Sequence, residues 1–238
     1  MFPLYDTIHS RTFPYVNVGI IVLNVIAFFY EISLGADIEQ FLLLYGIVPI
    51  RYSNPDIGMH FTLAEQAVPF VSSVFLHGSW LHLIFNMWFL WIFGDNVEDR
   101  MGHVRYFLFY ILCGIAAGIA HLLLNPGLEV PTVGASGAIA GVMGAYFILY
   151  PMARIIVMVP VFIFPFLFEI PAFFFLGFWF IIQFFSGSVD LLRITDDFRG
   201  IAWWAHAGGF LNGVVLVFFF KKSRKKYRKY YPDEYFPW

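Results

Sequence analysis

The sequence predicts an all-α membrane protein built as a bundle of six transmembrane helices. Three observations carry this. Of the 238 residues, 60% are hydrophobic and only 13% are charged, with 31 phenylalanines, whereas a soluble domain carries about 25% charged residues. Several apolar runs reach the roughly 20 helical residues that a bilayer core requires. The charges cluster between and after those runs: Lys221, Lys222, Arg224, Lys225, Lys226, Arg228 and Lys229 hold seven of the 14 basic residues.

Residues 1–14 form a short polar lead that ends in Pro14, a residue suited to opening a helix. Span 1 follows at about 15–34. Residues 36–76 are too polar and too broken to cross, and apolar pieces such as 41–45 place this connection partly in the membrane surface. Span 2 covers about 78–94, and Asp95, Glu98, Asp99 and Arg100 then read as a charged turn. Span 3 covers about 104–124 and is broken by Asn125-Pro126-Gly127. Span 4 covers about 135–151. The run 155–185 is interrupted by Pro160, Pro165, Glu169 and Pro171, so 155–168 reads as a connection near the interface and 169–186 as span 5. A polar loop over 190–199 leads to span 6 at about 201–220, and residues 221–238 are a basic tail. The six spans, 15–220, read as one domain without internal repeat.

An even number of spans puts both ends on one side. With the termini inside, Arg11, Arg100, Arg105, Arg154 and the seven tail residues are inside, against Arg51, Arg193 and Arg199 outside. The positive-inside rule therefore places both termini in the cytoplasm. Seven charges after a last span fix topology and touch anionic lipid. The lone Cys113 forms no intrachain disulfide. The small size and the lack of a cleavable signal or presequence favour a prokaryotic plasma membrane. Nothing in the composition points to nucleic acid.

In this topology spans 2, 4 and 6 all begin on the outer side. His82, Ser136 and His206 lie within the first few residues of these spans, hence within roughly 10 Å of the outer boundary. Asn86 shares the face of His82 one turn deeper. Polar side chains within a bilayer face the bundle interior or a water-filled cavity. One reading is plain hydrogen bonding between helices. A metal site is disfavoured, because no HExxH pair occurs and no cysteine or carboxylate lies near in sequence; no metal or cofactor is implied. An aspartate-based intramembrane protease lacks its pair of aspartates within spans. A transporter would need a polar path at the bilayer midplane and repeat symmetry.

The chemistry that fits is nucleophilic. A serine hydroxyl becomes a nucleophile when a histidine in hydrogen-bond reach takes its proton. The oxyanion that forms needs preorganised donors, for which the Asn86 amide, the His82 ring and the Ser136 backbone N–H are candidates. The stretch Gly134-Ala135-Ser136-Gly137-Ala138 is not the GxSxG elbow of soluble hydrolases. Its glycines serve helix contact instead: Gly137 and Gly141 in span 4, and Ala205, Gly209 and Gly213 in span 6, repeat every four residues and let two helices approach closely.

These residues are similar to the motifs of the rhomboid intramembrane serine proteases. The resemblance rests on His82-Leu83-Ile84-Phe85-Asn86 in span 2, Gly134-Ala135-Ser136-Gly137 at span 4, and Ala205-His206-Ala207-Gly208-Gly209 with Gly213 in span 6. It implies a six-helix rhomboid-like bundle, a Ser136–His206 catalytic dyad, and an oxyanion hole at His82, Asn86 and Ser136. It also implies hydrolysis of single-pass transmembrane proteins near the outer membrane face. Glu98-x-Arg100 resembles the family's structural ExR motif, and span 5 resembles its suggested lateral gate. Where some members carry a tyrosine that packs on the catalytic histidine, this chain has Ala140, which leaves Trp203 or Trp204 as candidates to orient His206. The alternative function is a pseudoprotease that binds or escorts membrane proteins without cleaving them.

Overall fold

The computed structural model describes residues 2–161, 164–192 and 202–222. The expected polar loop over 190–199 with Arg193 and Arg199, and the basic tail after Lys222, lie largely outside these residues.

The first helix carries its polar groups on a seven-residue repeat, and these decide what it packs against. Helix α1 (Tyr15–Ser33) buries Asn17, Asn24 and Glu31 completely. Spaced seven apart, they fall on one face. Asn17 donates to the Leu90 carbonyl at 3.1 Å and accepts from the Tyr106 hydroxyl at 2.7 Å. Residues 36–76 contain only short helices, α2 (Ile38–Tyr45), α3 (Ile50–Ser53), α4 (Pro55–Gly58), α5 (Leu63–Ala67) and α6 (Pro69–Ser72).

Helix α7 (Trp80–Met101) starts at an N-cap, Ser79, whose hydroxyl accepts from the His82 backbone N–H at 3.2 Å. It runs through the residues expected to form a charged turn. The reason is that its carboxylates are satisfied in place. Glu98, fully buried, accepts from the unpaired first-turn N–H groups of Val16 (3.0 Å) and Asn17 (2.7 Å), and it meets His103 Nδ1 at 2.5 Å. The helix ends at Gly102, whose φ of +81° suits glycine. Helix α8 (His103–Leu124) follows directly.

Helix α9 (Ser136–Leu149) is the most enclosed, with ten of its 14 residues buried. Fourteen residues rise about 21 Å, less than the ~30 Å of a bilayer core. Helices α10 (Ala172–Leu192) and α11 (Trp203–Phe220) complete the bundle. Among the described residues, four helices (α1, α8, α10 and α11) are long and apolar enough to cross a membrane. Helix α7 joins them as a fifth if the bent segment before it, at 76°, belongs to the same span.

Small residues set the closest contact, between α9 and α11. A Cβ added to Gly209 would collide with the Gly137 carbonyl oxygen, and one on Gly213 with that of Gly141. A Cβ on Gly141 would in turn lie 3.2 Å from the Gly209 carbonyl oxygen. The two backbones therefore touch along the stretch that carries Ser136 and His206.

The sheet was not expected. Strands β1 (Phe2–Asp6), β2 (Arg154–Val161) and β3 (Phe164–Pro171) form an antiparallel sheet in the order β1-β2-β3. The first residues are thus a strand rather than a plain lead, and 155–168 falls within the antiparallel pair β2–β3 rather than forming an irregular connection. Ile155, Ile156, Val157 and Val159 are β-branched and favour strands. Pro160 pairs opposite Pro165, so the missing N–H groups fall together one pair from the end of the ladder where β2 leads into β3. Ile155 and Val157 are fully buried, while β3 is exposed along most of its length.

Candidate active site

Ser136 is the first residue of α9 and follows a tightly held loop. Ile47 and Thr132 exchange backbone hydrogen bonds at 3.0 and 2.7 Å, and the Gly134 N–H donates to the Ser73 carbonyl at 2.9 Å. His121 Nε2 meets the Thr132 hydroxyl at 2.9 Å. Gly134 has φ +132°, a conformation that side-chain-bearing residues rarely adopt. A Cβ there would lie 2.5 Å from His82 Cε1 and 3.6 Å from Ser136 Oγ. The Cε1 and Nε2 atoms of the His82 ring therefore lie against the glycine, next to the serine. The first N–H groups of α9 have no partner within the helix, and Ile139 is the first to donate back, to Ala135.

His206, one turn into α11 and partly buried, reaches across the glycine contact. Its Nε2 lies 2.8 Å from Ser136 Oγ. Its Nδ1 lies 2.7 Å from Gln183 Oε1 on α10. The Trp179 ring, also from α10, sits 5.9 Å from the imidazole at 33°.

Asn86 is buried near His82, and its amide N–H donates to His77 Nε2 at 3.0 Å. His77 is itself held by its backbone N–H, which donates to both Glu31 carboxylate oxygens at 3.1 and 3.2 Å. The second amide hydrogen of Asn86 remains for another acceptor. The rings of His77 and His82 meet edge to face at 5.1 Å.

The structure thus brings Ser136, His206, His82 and Gly134 together, with Gly137, Gly209 and Gly213 forming the helix contact beneath them. Asn86 joins through His77. Neither Trp203 nor Trp204 orients His206. Both pack against Gly187 of α10, where an added Cβ would lie 3.2 Å from Trp203 Cβ and 2.9 Å from Trp204 Cε2. The residues beside His206 are Gln183 and Trp179. Sequence reasoning passed over Gln183, although it is the only polar side chain between Ala172 and Phe185. It also passed over His77 and Glu31, a lone carboxylate inside span 1. Among the described residues, no group of three or more His, Cys, Asp or Glu is placed to hold a metal ion.

A family model described as the rhomboid domain matches residues 64–223, which include every one of the site residues. The chain belongs to the rhomboid family. Rhomboid protein 1, mitochondrial, of Saccharomyces cerevisiae is 28% identical over 166 residues, covering 68% of this chain and 44% of the relative. Rhomboid-like protein 11, chloroplastic, of Arabidopsis thaliana is 42% identical over 72 residues, covering 30% and 25%. Rhomboid protease GluP of Bacillus subtilis is 40% identical over 75 residues, covering 32% and 14%. The matches span less than half the length of each of these relatives. This rhomboid is a helical membrane protein. Its relatives include mitochondrial and chloroplastic proteins as well as bacterial ones, which runs against reading a prokaryotic plasma membrane from chain size.

Proposed function

We propose that this rhomboid is an intramembrane serine endopeptidase with Ser136 as nucleophile and His206 as general base. The observation that carries the reading is the 2.8 Å approach of His206 Nε2 to Ser136 Oγ at the head of the enclosed helix α9. Ser136 Oγ attacks the peptide carbonyl while its proton passes to His206 Nε2. The carbonyl π pair moves to oxygen, and the resulting oxyanion is met by the His82 ring, the Asn86 amide and the Ser136 backbone N–H. On collapse the C–N bond breaks, and the leaving amine takes the proton from His206. Water then attacks the acyl-enzyme with His206 again as base, which releases the new carboxylate and restores the serine.

Substrate class follows from depth. If the far end of α9 sits at one boundary of the ~30 Å core, a helix of about 21 Å leaves Ser136 about 9 Å inside the other. A peptide bond that reaches Ser136 is then one within or beside a membrane segment. This supports single-pass transmembrane proteins as substrates, cleaved near the face opposite the cytoplasmic termini, with the lipid bilayer as the surrounding medium. The direct test co-reconstitutes the full chain with a single-pass reporter carrying tags on both sides. Two fragments are expected from the wild type and none from Ser136→Ala or His206→Ala. Cleavage by Ser136→Ala at the wild-type rate would overturn the reading. Stable capture of the uncut reporter by the wild type would favour the pseudoprotease instead.

A further inference from the structure

We propose that Gln183 is a positioning residue of this site. Its side-chain carbonyl holds His206 in the one tautomer that can accept the Ser136 proton, and does so only while α10 is packed on α11. This rests on the hydrolytic reading above.

A neutral imidazole carries one N–H and one bare nitrogen. Gln183 Oε1 has no hydrogen to give, so at 2.7 Å the Nδ1 of His206 must be the donor. Nε2 is then bare and accepts the hydroxyl proton of Ser136 at 2.8 Å. The opposite tautomer would lose the Gln183 bond, and its Nε2–H could only donate to Ser136 Oγ, with no bare nitrogen there to take the serine proton. The partner of the imidazole in serine hydrolases is often a carboxylate, which also stabilises the imidazolium. Here the position is buried in an apolar span, with Gln183 only 6% exposed. A neutral amide supplies the same directional acceptor without the desolvation cost of a charge in the bilayer.

The contact comes from one face of one helix. Trp179, Gln183 and Gly187 are four residues apart on α10 and form one stripe. Trp179 lies along the imidazole, Gln183 meets its Nδ1, and Gly187 lets α10 close onto Trp203 and Trp204. Ala140 adds no ring or polar group to this side. The nucleophile and the base therefore sit on α9 and α11, but the group that orients the base sits on a third helix. The orienting bond therefore exists only while α10 stays docked on α11.

The test is the rate at which a fluorophosphonate labels Ser136 in the detergent-solubilised full chain, read across pH. Gln183→Leu is expected to slow labelling about 10- to 100-fold, and Gln183→Glu, which keeps an acceptor at the same place, to label at close to the wild-type rate or faster. Gly187→Leu, which pries α10 from α11, is expected to slow labelling like Gln183→Leu. Wild-type rates and pH profiles in Gln183→Leu would overturn the positioning role, and wild-type rates in Gly187→Leu would overturn the dependence on α10 docking. Nitrogen-15 spectra of histidine-labelled wild type, with the His206 signals assigned by their loss in His206→Ala, give a readout that needs neither variant to fold. A proton on Nδ1 is expected, and a proton on Nε2 would overturn the proposal. A wild type whose Ser136 takes no label removes the hydrolytic reading, while the tautomer signal still decides what Gln183 does to His206.

Discussion

Replacing Gly134 by alanine perturbs the site at its tightest point. The new Cβ would lie 2.5 Å from His82 Cε1 and 2.7 Å from His82 Nε2. Carbon atoms in ordinary contact sit about 3.5–4.0 Å apart, so the ring must retreat by about 1 Å. The backbone at φ +132° adds strain, roughly 1–3 kcal/mol for a residue with a side chain. Overpacking adds a similar ~1–3 kcal/mol. A misplacement of about 1 Å near reacting atoms costs on the order of 100-fold in rate. The expected result is a Tm lowered in step with these terms, and turnover of a single-pass reporter reduced about 100-fold with KM little changed. The double variant Gly134→Ala/His82→Ala removes the clash but not the strain, so it should recover part of the stability and none of the turnover. The assay is reporter cleavage in proteoliposomes beside thermal unfolding in detergent. Gly134→Ala with wild-type turnover and Tm would refute the placement of His82 against Gly134.

Two further predictions follow from buried partners. Asn86→Ala removes both a proposed oxyanion donor and the hydrogen-bond partner of His77 Nε2. It should lower kcat more than it raises KM and destabilise the fold by about 1–3 kcal/mol, as read by steady-state kinetics and thermal unfolding; a change in KM alone would count against the oxyanion role. Glu98→Gln weakens the charge-assisted bonds to the Val16 and Asn17 N–H groups. It should lower Tm by an amount corresponding to about 1–3 kcal/mol while leaving the pH dependence of serine labelling unchanged, and a shifted pH profile would contradict its purely structural place.

What the sequence made legible was the order of the site residues along the chain. Ser136 and His206 stand near the starts of two apolar spans whose small residues recur every fourth position, and that spacing is visible in one sequence. The structure places these helices in backbone contact and the two side chains 2.8 Å apart. Partners across the bundle were less legible. Gln183 is a single amide in an apolar run, and nothing in its own segment says which residue it will meet. Asn17, Asn24 and Glu31 repeat every seven residues, yet the partners of Asn17 lie on α7 and α8 and that of Glu31 in the loop before α7, while Asn24 donates back to Ile20 on its own helix. Element type failed where local signals conflict. The run 154–171 is apolar enough for a membrane but carries three prolines with β-branched neighbours, and pairing with Phe2–Asp6 resolves it as a sheet. Charges at 95–100 read as a turn because their partners, the first N–H groups of α1, lie about 80 residues away in sequence.

The measurement that bears most directly on the central claim is covalent labelling of the wild-type chain by a serine-reactive phosphonate, with the modified residue mapped by mass spectrometry. The account predicts a single adduct on Ser136 that is absent in Ser136→Ala and strongly reduced in folded His206→Ala. A folded wild-type protein that takes no label under conditions where a control serine hydrolase does, or an adduct on another serine, would contradict it.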